Sequence, residues 1–387
     1  MKEADVIVGG LGAVGAGILR SLDRRGARVI GIDRYRPPHE MGSSHGQTRI
    51  TREFVGEGPE YVPLVRRSHE IWAELERGGA RLRERTGLVY LARRGGIAQR
   101  HHTNDFIAAT CEVARAAGVA MPELDARALR EAWPQFVVPD DTVGYLEPEA
   151  GFVRPERCIE AQLAALRDPA ASLVFGETIL EVREAAGGVE VRTDQGLYRA
   201  GKVILATGPW TPDLVGGAFG RDLRVLRQTQ YWFRLTDASL WRGAPTFLWF
   251  HGDGPADVFY GFPPDSGATA IKVASEQYEA ACDPDRCDRQ VSAEEAAAMF
   301  ETHVRGRLNG VAPVLEQAMA CLYTFNGTPG REGRFMIGPH PTVAGVTVVS
   351  ACSGHGFKHA AGLGDALAAQ VLGETPFCDL SAFAVAS

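Results

Sequence analysis

Three glycines and one acid define the first chemistry open to this chain. Gly10-Leu11-Gly12-Ala13-Val14-Gly15 has GxGxxG spacing, and Asp33 stands at the end of the next apolar run. In such a turn Gly10 permits the tight bend, Gly12 lets a pyrophosphate approach the backbone, and Gly15 lets a helix pack on its strand. The helix N-terminus adds amide donors and the positive end of a dipole. Asp33 can accept hydrogen bonds from an adenosine ribose. Together these residues describe a dinucleotide site, without choosing between NAD and FAD.

Other residues offer chemistry that the pattern alone leaves open. Ser353-Gly354-His355-Gly356-Phe357-Lys358 is a second glycine-rich turn, able to present amide donors and the Lys358 charge to an anion. It serves equally as a plain strand-to-helix connection. The polar stretch 34–58 carries His45, Thr48, Arg49 and Arg52 beside the nucleotide motif. A solvated arginine-rich turn is the bland reading, although long polar loops so placed tend to carry function. Cys321, in MACLYTF, reads as a buried inert thiol, and Tyr260 and Tyr323 as core aromatics with satisfied hydroxyls. Of the 41 basic residues only Lys2, Lys202, Lys272 and Lys358 are lysines. Lys272 lies in ATAIKV at a position whose facing is undecided; buried there, it needs a partner.

Positioning these groups takes an α/β scaffold. Val6–Val8 and Val29–Ile32 read as buried parallel strands, with a helix between them that ends at Gly26. Tyr61 to Leu75 follows one helical face, Gly87–Ala92 is a strand, and Phe106–Ala117 and Ala126–Trp133 are helices, the second capped by Asp125. Pro134–Asp141 is linker-like. Pro155 opens a helix to about Arg167, and Glu181–Arg183, Val189–Thr193 and Leu197–Arg199 form a small meander. Lys202–Leu205 is a buried strand closing on Ala206-Thr207-Gly208, and a sheet completed so late in the chain suggests an FAD fold. Val225–Leu235, Asp257–Phe262 and Ala268–Val273 predict a second, mostly antiparallel sheet, with a helix over about Ala293–Leu308 capped by Ser292. Met319–Phe325 and Val346–Ala351 are further strands, and Ala360 to Leu372 is a helix of small residues. The reading is therefore α/β (α+β overall), an FAD-binding Rossmann-like domain over 1–85, 147–220 and 320–387 with an antiparallel-sheet substrate domain over 86–146 and 221–319.

Composition sets outer limits. The 387 residues, 45% hydrophobic, can bury a large core, and a net charge of −7 offers nothing to nucleic acid or an anionic membrane. No apolar run reaches the ~18 residues of a membrane span, and the N-terminus does not read as a signal peptide. Seven scattered cysteines, without CxxC or a histidine cluster, read as reduced thiols of a cytoplasmic protein with no metal site.

HGQTRITR followed by GEGPEYVPL, then EPEAGFVRPE, YGFP, MACLYT and SGHGFKHAAGLGDAL run nearly end to end with the nucleotide motif. In these the sequence resembles the monomeric sarcosine oxidase family, flavoenzymes that oxidise secondary amino acids and include N-methyltryptophan oxidase. The resemblance implies FAD, held through Gly10, Gly12, Gly15, Asp33, Thr48, Gly354, Gly356 and Phe357 and joined covalently through the Cys321 sulfur. It implies that Arg52 and Lys358 hold the substrate carboxylate, that Lys272 assists oxygen reduction, that His45, Thr48 and Arg49 line the flavin, and that Tyr260 and Tyr323 are active-site tyrosines. The implied reaction oxidises a secondary amine to an imine while O2 becomes H2O2, in a monomer. The runner-up is a dehydrogenase or imine-forming biosynthetic oxidase of a cyclic amino acid. Three departures stand out: one extra residue between Tyr260 and Lys272, Val55 for an aromatic, and Glu276 for a histidine. If Glu276 faces the pocket it joins substrate binding and favours a substrate with an added donor or cation; if the extra residue shifts the register, it faces solvent.

Overall fold

The computed structural model describes residues 2–100, 105–119 and 121–385. Two eight-stranded sheets organise the chain. In the first, Lys2–Gly9 lies between Val29–Asp33 and Leu197–Leu205, parallel to both, with Leu173–Phe175 beyond Val29–Asp33. The central strands are buried over 6–9, Val29–Asp33 and 203–205, where helices cover the sheet, as parallel sheets require. Helix Ala13–Arg24 packs against Ala360–Val371, whose small residues let it pass close to Val62–Glu76 as well.

Leu197–Leu205 is one strand where the sequence suggests two. Its first half pairs antiparallel with Gly188–Thr193, and its second half pairs parallel with Val346–Ser350. The change of partner falls at Ala200-Gly201-Lys202, where the apolar pattern breaks.

The second sheet runs in the order Val311–Asn326, Leu223–Leu235, Ala270–Ser275, Val258–Phe262, Thr246–Phe250, Leu88–Arg93, Thr142–Glu147, Glu123–Asp125. It is antiparallel except where Thr246–Phe250 meets Leu88–Arg93. Tyr260 pairs with Ala274 and Phe262 with Lys272, so Tyr260 and Lys272 share one face, and Glu276 follows just past the strand's end. The turn between these two strands is 263–269.

Two expectations fail for physical reasons. Pro134–Asp141 is no linker: Gln135, Phe136 and Val138 are buried, and the Phe136 ring meets Trp133, Trp241, Phe247 and Trp249. The Ala293 helix has its Ser292–Glu295 capping box but stays α-helical only to Met299, continuing as a π turn over Phe300–Val304. Caps are local and legible; the π turn answers to burial of Phe300 and Val304 against the second sheet.

Candidate functional site

One long cleft of about 440 Å³ runs from the ends of the parallel strands to the face of the second sheet. At its first end Gly10, Gly12 and Asp33 form the wall. Gly10 has φ +83°, and a Cβ on Gly15 would collide with the Gly10 carbonyl, so the helix can sit this close only with glycine there. A Cβ on Gly12 would meet only Ser44 Oγ, at 3.4 Å, and project beside the open cleft. Asp33 turns its carboxylate inward: Leu11 N–H donates to one oxygen at 2.6 Å and Tyr35 N–H to the other at 2.9 Å. Its first task is therefore to brace the glycine turn, with remaining lone pairs left for a ligand.

The middle of the cleft is walled by Arg49 and by the SGHGFK turn. Arg49 donates to the carbonyls of Thr48 (2.9 Å) and Ser43 (3.0 Å) and to Gln230 Oε1 (3.3 Å). Gly354 (φ +83°), Gly356 and Phe357 line the opposite side, and Gly356 sits where a Cβ would strike the Ala351 carbonyl. Behind Arg49 lie His45 and Thr48. Both ring nitrogens of His45, Thr48 Oγ1, Gln230 Nε2 and Thr324 Oγ1 are buried without a hydrogen-bond partner among the described residues. Burial, with the charges of Arg49 and Lys272, pulls the His45 pKa down to about 3. Thr324 lines the cleft and Thr48 a second pocket, which shares Phe262 with it, and buried polar atoms without partners are expensive unless a ligand satisfies them. A flat heteroaromatic ring with its own donors and acceptors fits that need, in the same cleft that Gly10 and Gly12 line. The residues fit FAD.

Lys272 is buried, which settles its facing. Its Nζ donates to the Gly46 carbonyl at 2.6 Å and the Thr48 carbonyl at 2.8 Å, and lies 4.9 Å from the Phe262 ring centroid. Burial, and then Arg49, drives its pKa well below the usual lysine value. Lys272 also borders a second pocket of about 340 Å³, on the side of Trp232 and Arg154. Cys321 pairs with Gln228 across the strands, one same-face step from the cleft-lining Tyr323, and burial raises its thiol pKa.

The far end of the cleft holds the charges. Arg52 is 2% exposed and donates to the Phe54 carbonyl (3.1 Å), to Tyr90 Oη (3.2 Å) and to both Glu57 oxygens (3.3 Å each). Lys358 Nζ donates to the His355 carbonyl at 2.9 Å, and burial pulls its pKa down to about 7 against the pull of Glu57. Glu276 is buried and lines the cleft, so the solvent-facing alternative is wrong. Its partner is Arg100, whose Nε and Nη2 donate to the two carboxylate oxygens at 3.0 and 2.7 Å. Tyr278 and Tyr323 hydroxyls donate to the same carboxylate at 2.9 and 3.4 Å. Burial pushes Tyr260 up to about 12 and Glu147 up to about 7.

Arg100, Glu57 and Glu147 escaped the sequence reading. Glu57 belongs to GEGPEYVPL and Glu147 to EPEAGFVRPE, so the resemblance reached their segments without their roles. Arg100 lies in an arginine-rich loop, and no motif marks it.

The FAD dependent oxidoreductase family model matches residues 5–370. A monomeric sarcosine oxidase of Streptomyces avermitilis is 34% identical, the match covering 94% of this chain and 92% of that protein. An N-methyl-L-tryptophan oxidase of Salmonella heidelberg is 32% identical over 98% of this chain and 97% of its own. Among solved structures NikD, described as an unusual amino acid oxidase essential for nikkomycin biosynthesis, superposes with a TM-score of 0.85 at 24% identity, covering 99% of this chain and 98% of that one. With a fitted dinucleotide cleft and relatives matched along nearly their whole length, the chain belongs to the FAD dependent oxidoreductases, among the amino acid oxidases of the monomeric sarcosine oxidase and N-methyltryptophan oxidase family.

Proposed function

We propose that this enzyme oxidises the C–N bond of a secondary (N-methyl or cyclic) amino acid to an imine, with O2 reduced to H2O2. The observation that carries this reading is the cationic end of the cleft: Arg52 and Lys358, both buried, line it together with Tyr260 and Tyr323. FAD, when bound, supplies the acceptor for the hydride equivalent leaving the carbon beside the amine.

The protein's part is placement and charge. Lys358, with Arg52 beside it, holds the substrate carboxylate and so sets the amine's position. A carboxylate brings Lys358 the negative charge that its burial lacks, and the bound lysine stays protonated. Tyr260 and Tyr323 cover the reacting carbon and exclude water. Lys272, held by two carbonyls and shielded from solvent, takes up a proton as negative charge arrives from the reduction of oxygen. Cys321, one step along its strand from Tyr323, is the residue for covalent FAD attachment. The sheets support the division into 1–85, 147–220 and 320–387 against 86–146 and 221–319, with Val311–Asn326 bridging the last boundary. Among the described residues no helix is long and apolar enough to cross a membrane; we infer a cytoplasmic monomer from the likeness to a relative named monomeric sarcosine oxidase.

The test is anaerobic mixing of the holoenzyme with N-methyl and cyclic amino acids and with their amides. Bleaching of the flavin absorbance by the acids, but not by the amides, is expected. Equal bleaching by both would remove the carboxylate role.

A further inference from the structure

The far end of the cleft contains more charge than a carboxylate site needs. Among the described residues that line this end or form ion pairs with its lining, three cations, Arg52, Arg100 and Lys358, meet two carboxylates, Glu57 and Glu276. Arg52 faces Glu57 at 3.3 Å and Arg100 faces Glu276 at 2.7 Å. Once each pair is cancelled, Lys358 is the cation left over among the described residues here, so this end of the cleft accepts one negative charge. An amino acid whose amine has lost its proton, as oxidation of its C–N bond requires, carries that charge on its carboxylate.

The Arg100–Glu276 pair has no part in that balance, yet it is built into the wall. The two side chains are 7% and 3% exposed, and both residues line the cleft. The carboxylate is saturated: it accepts two bonds from Arg100 and one each from Tyr278 and Tyr323. It has no strong site left for a cationic substrate group, which reverses the expectation that Glu276 selects one. The guanidinium is not saturated. Its Nη1 makes no hydrogen bond with the described residues. The guanidinium packs 5.3 Å from the Phe106 centroid, a ring that Arg52 approaches at 4.9 Å. The pair therefore stands next to the carboxylate end, where a substrate's side chain or N-substituent must lie.

We propose that the Arg100–Glu276 pair determines specificity by keeping this wall electrically neutral while offering one guanidinium N–H, so that the enzyme selects monocarboxylic amino acids with an uncharged, hydrogen-bond-accepting substituent. This rests on reading the cleft as an amino acid pocket. Each half of the pair screens the other from charged substrates. Removing one half leaves the other as a buried charge short of the pair's counter-charge, and the most favourable replacement is that charge carried in by a ligand.

Calorimetric titration of the holoenzyme with propanoate, succinate and 4-guanidinobutanoate tests this without turnover. Wild type should bind propanoate best. Glu276→Gln should move the propanoate-to-succinate ratio toward succinate by about tenfold or more, and Arg100→Leu should move the ratio toward 4-guanidinobutanoate by a similar factor. The double variant Arg100→Leu, Glu276→Leu removes both charges and should return to the wild-type order; with Glu276→Gln it keeps the test intact if Arg100→Leu fails to fold. Ratios that stay within about twofold of wild type in the single variants overturn the proposal. If the ratios invert but no amino acid bleaches the flavin, the wall's role stands and the catalytic reading falls.

Discussion

Lys358 should make carboxylate binding depend on pH in a way that can be calculated. Burial lowers its pKa from 10.5 to about 7 in the protein without ligand. That difference amounts to about 5 kcal/mol against the charged form. The sign follows from proton counting. Between about pH 7 and 10.5 the unfolded chain keeps the proton that the folded one has lost, so this group's contribution to stability rises with pH across that window. Carboxylate binding runs the other way, because the anion favours the protonated lysine. Below pH 7 the dissociation constant of acetate should be flat; above it the constant should rise about tenfold per pH unit until Arg52 alone carries the residual binding. Titrations at pH 8.5 in buffers of different ionisation enthalpy should then report uptake of about one proton per acetate. The neighbouring groups narrow the assignment. His355, lowered to about 4, is already neutral in this range, and Arg52 stays charged. Glu147 is the competitor, since burial places it at about 7 and its ionisation would also repel an anion. Lys358→Met should therefore abolish the pH dependence and Glu147→Gln should preserve it. A dissociation constant that is flat from pH 6 to 9, or a slope that survives Lys358→Met and vanishes in Glu147→Gln, refutes the reasoning.

Acid-precipitated wild type should stay yellow, and Cys321→Ser should release its FAD into the supernatant; free FAD from wild type would end the covalent assignment. In stopped-flow measurements Lys272→Met should slow reoxidation by O2 far more than reduction by substrate, and equal slowing of both would make the lysine structural or substrate-binding. Gly15→Ala should cost about 1–3 kcal/mol or prevent folding, because the new methyl overlaps the Gly10 carbonyl. Thermal unfolding reads this directly, and an unchanged midpoint would mean that the turn can relax.

Most of the nucleotide end was legible because its constraints are local. A glycine motif, a strand before it and an acid after it fall within one strand–helix–strand unit, and Leu11 N–H donates to Asp33 inside that unit. Caps at Asp125 and Ser292 were readable for the same reason. Thr246–Phe250 was passed over because TFLWF is apolar at all but its first position, without the alternation that marks a strand, as suits one buried on both faces. The stretch 134–141 misleads in the opposite direction. Its prolines and aspartates punctuate like a linker, while Phe136 anchors an aromatic cluster gathered from residues more than a hundred positions away.

The far end of the cleft resisted the sequence for a different reason: its chemistry lies in pairing. Lys272 is tied to the carbonyls of Gly46 and Thr48, and a backbone acceptor leaves no mark in residue types. Arg100 meets Glu276 across 176 positions, so neither residue announces the other. The sequence supplies an inventory in which Glu276 reads as an added negative charge beside the substrate. In the folded chain Arg100 meets that charge, and among the described residues at this end of the cleft Lys358 is the cation without an ion pair of its own. A substitution at either end of the pair should therefore act through charge balance first and through shape second. The measurement that separates the two is the order of preference among ligands of different charge and similar size.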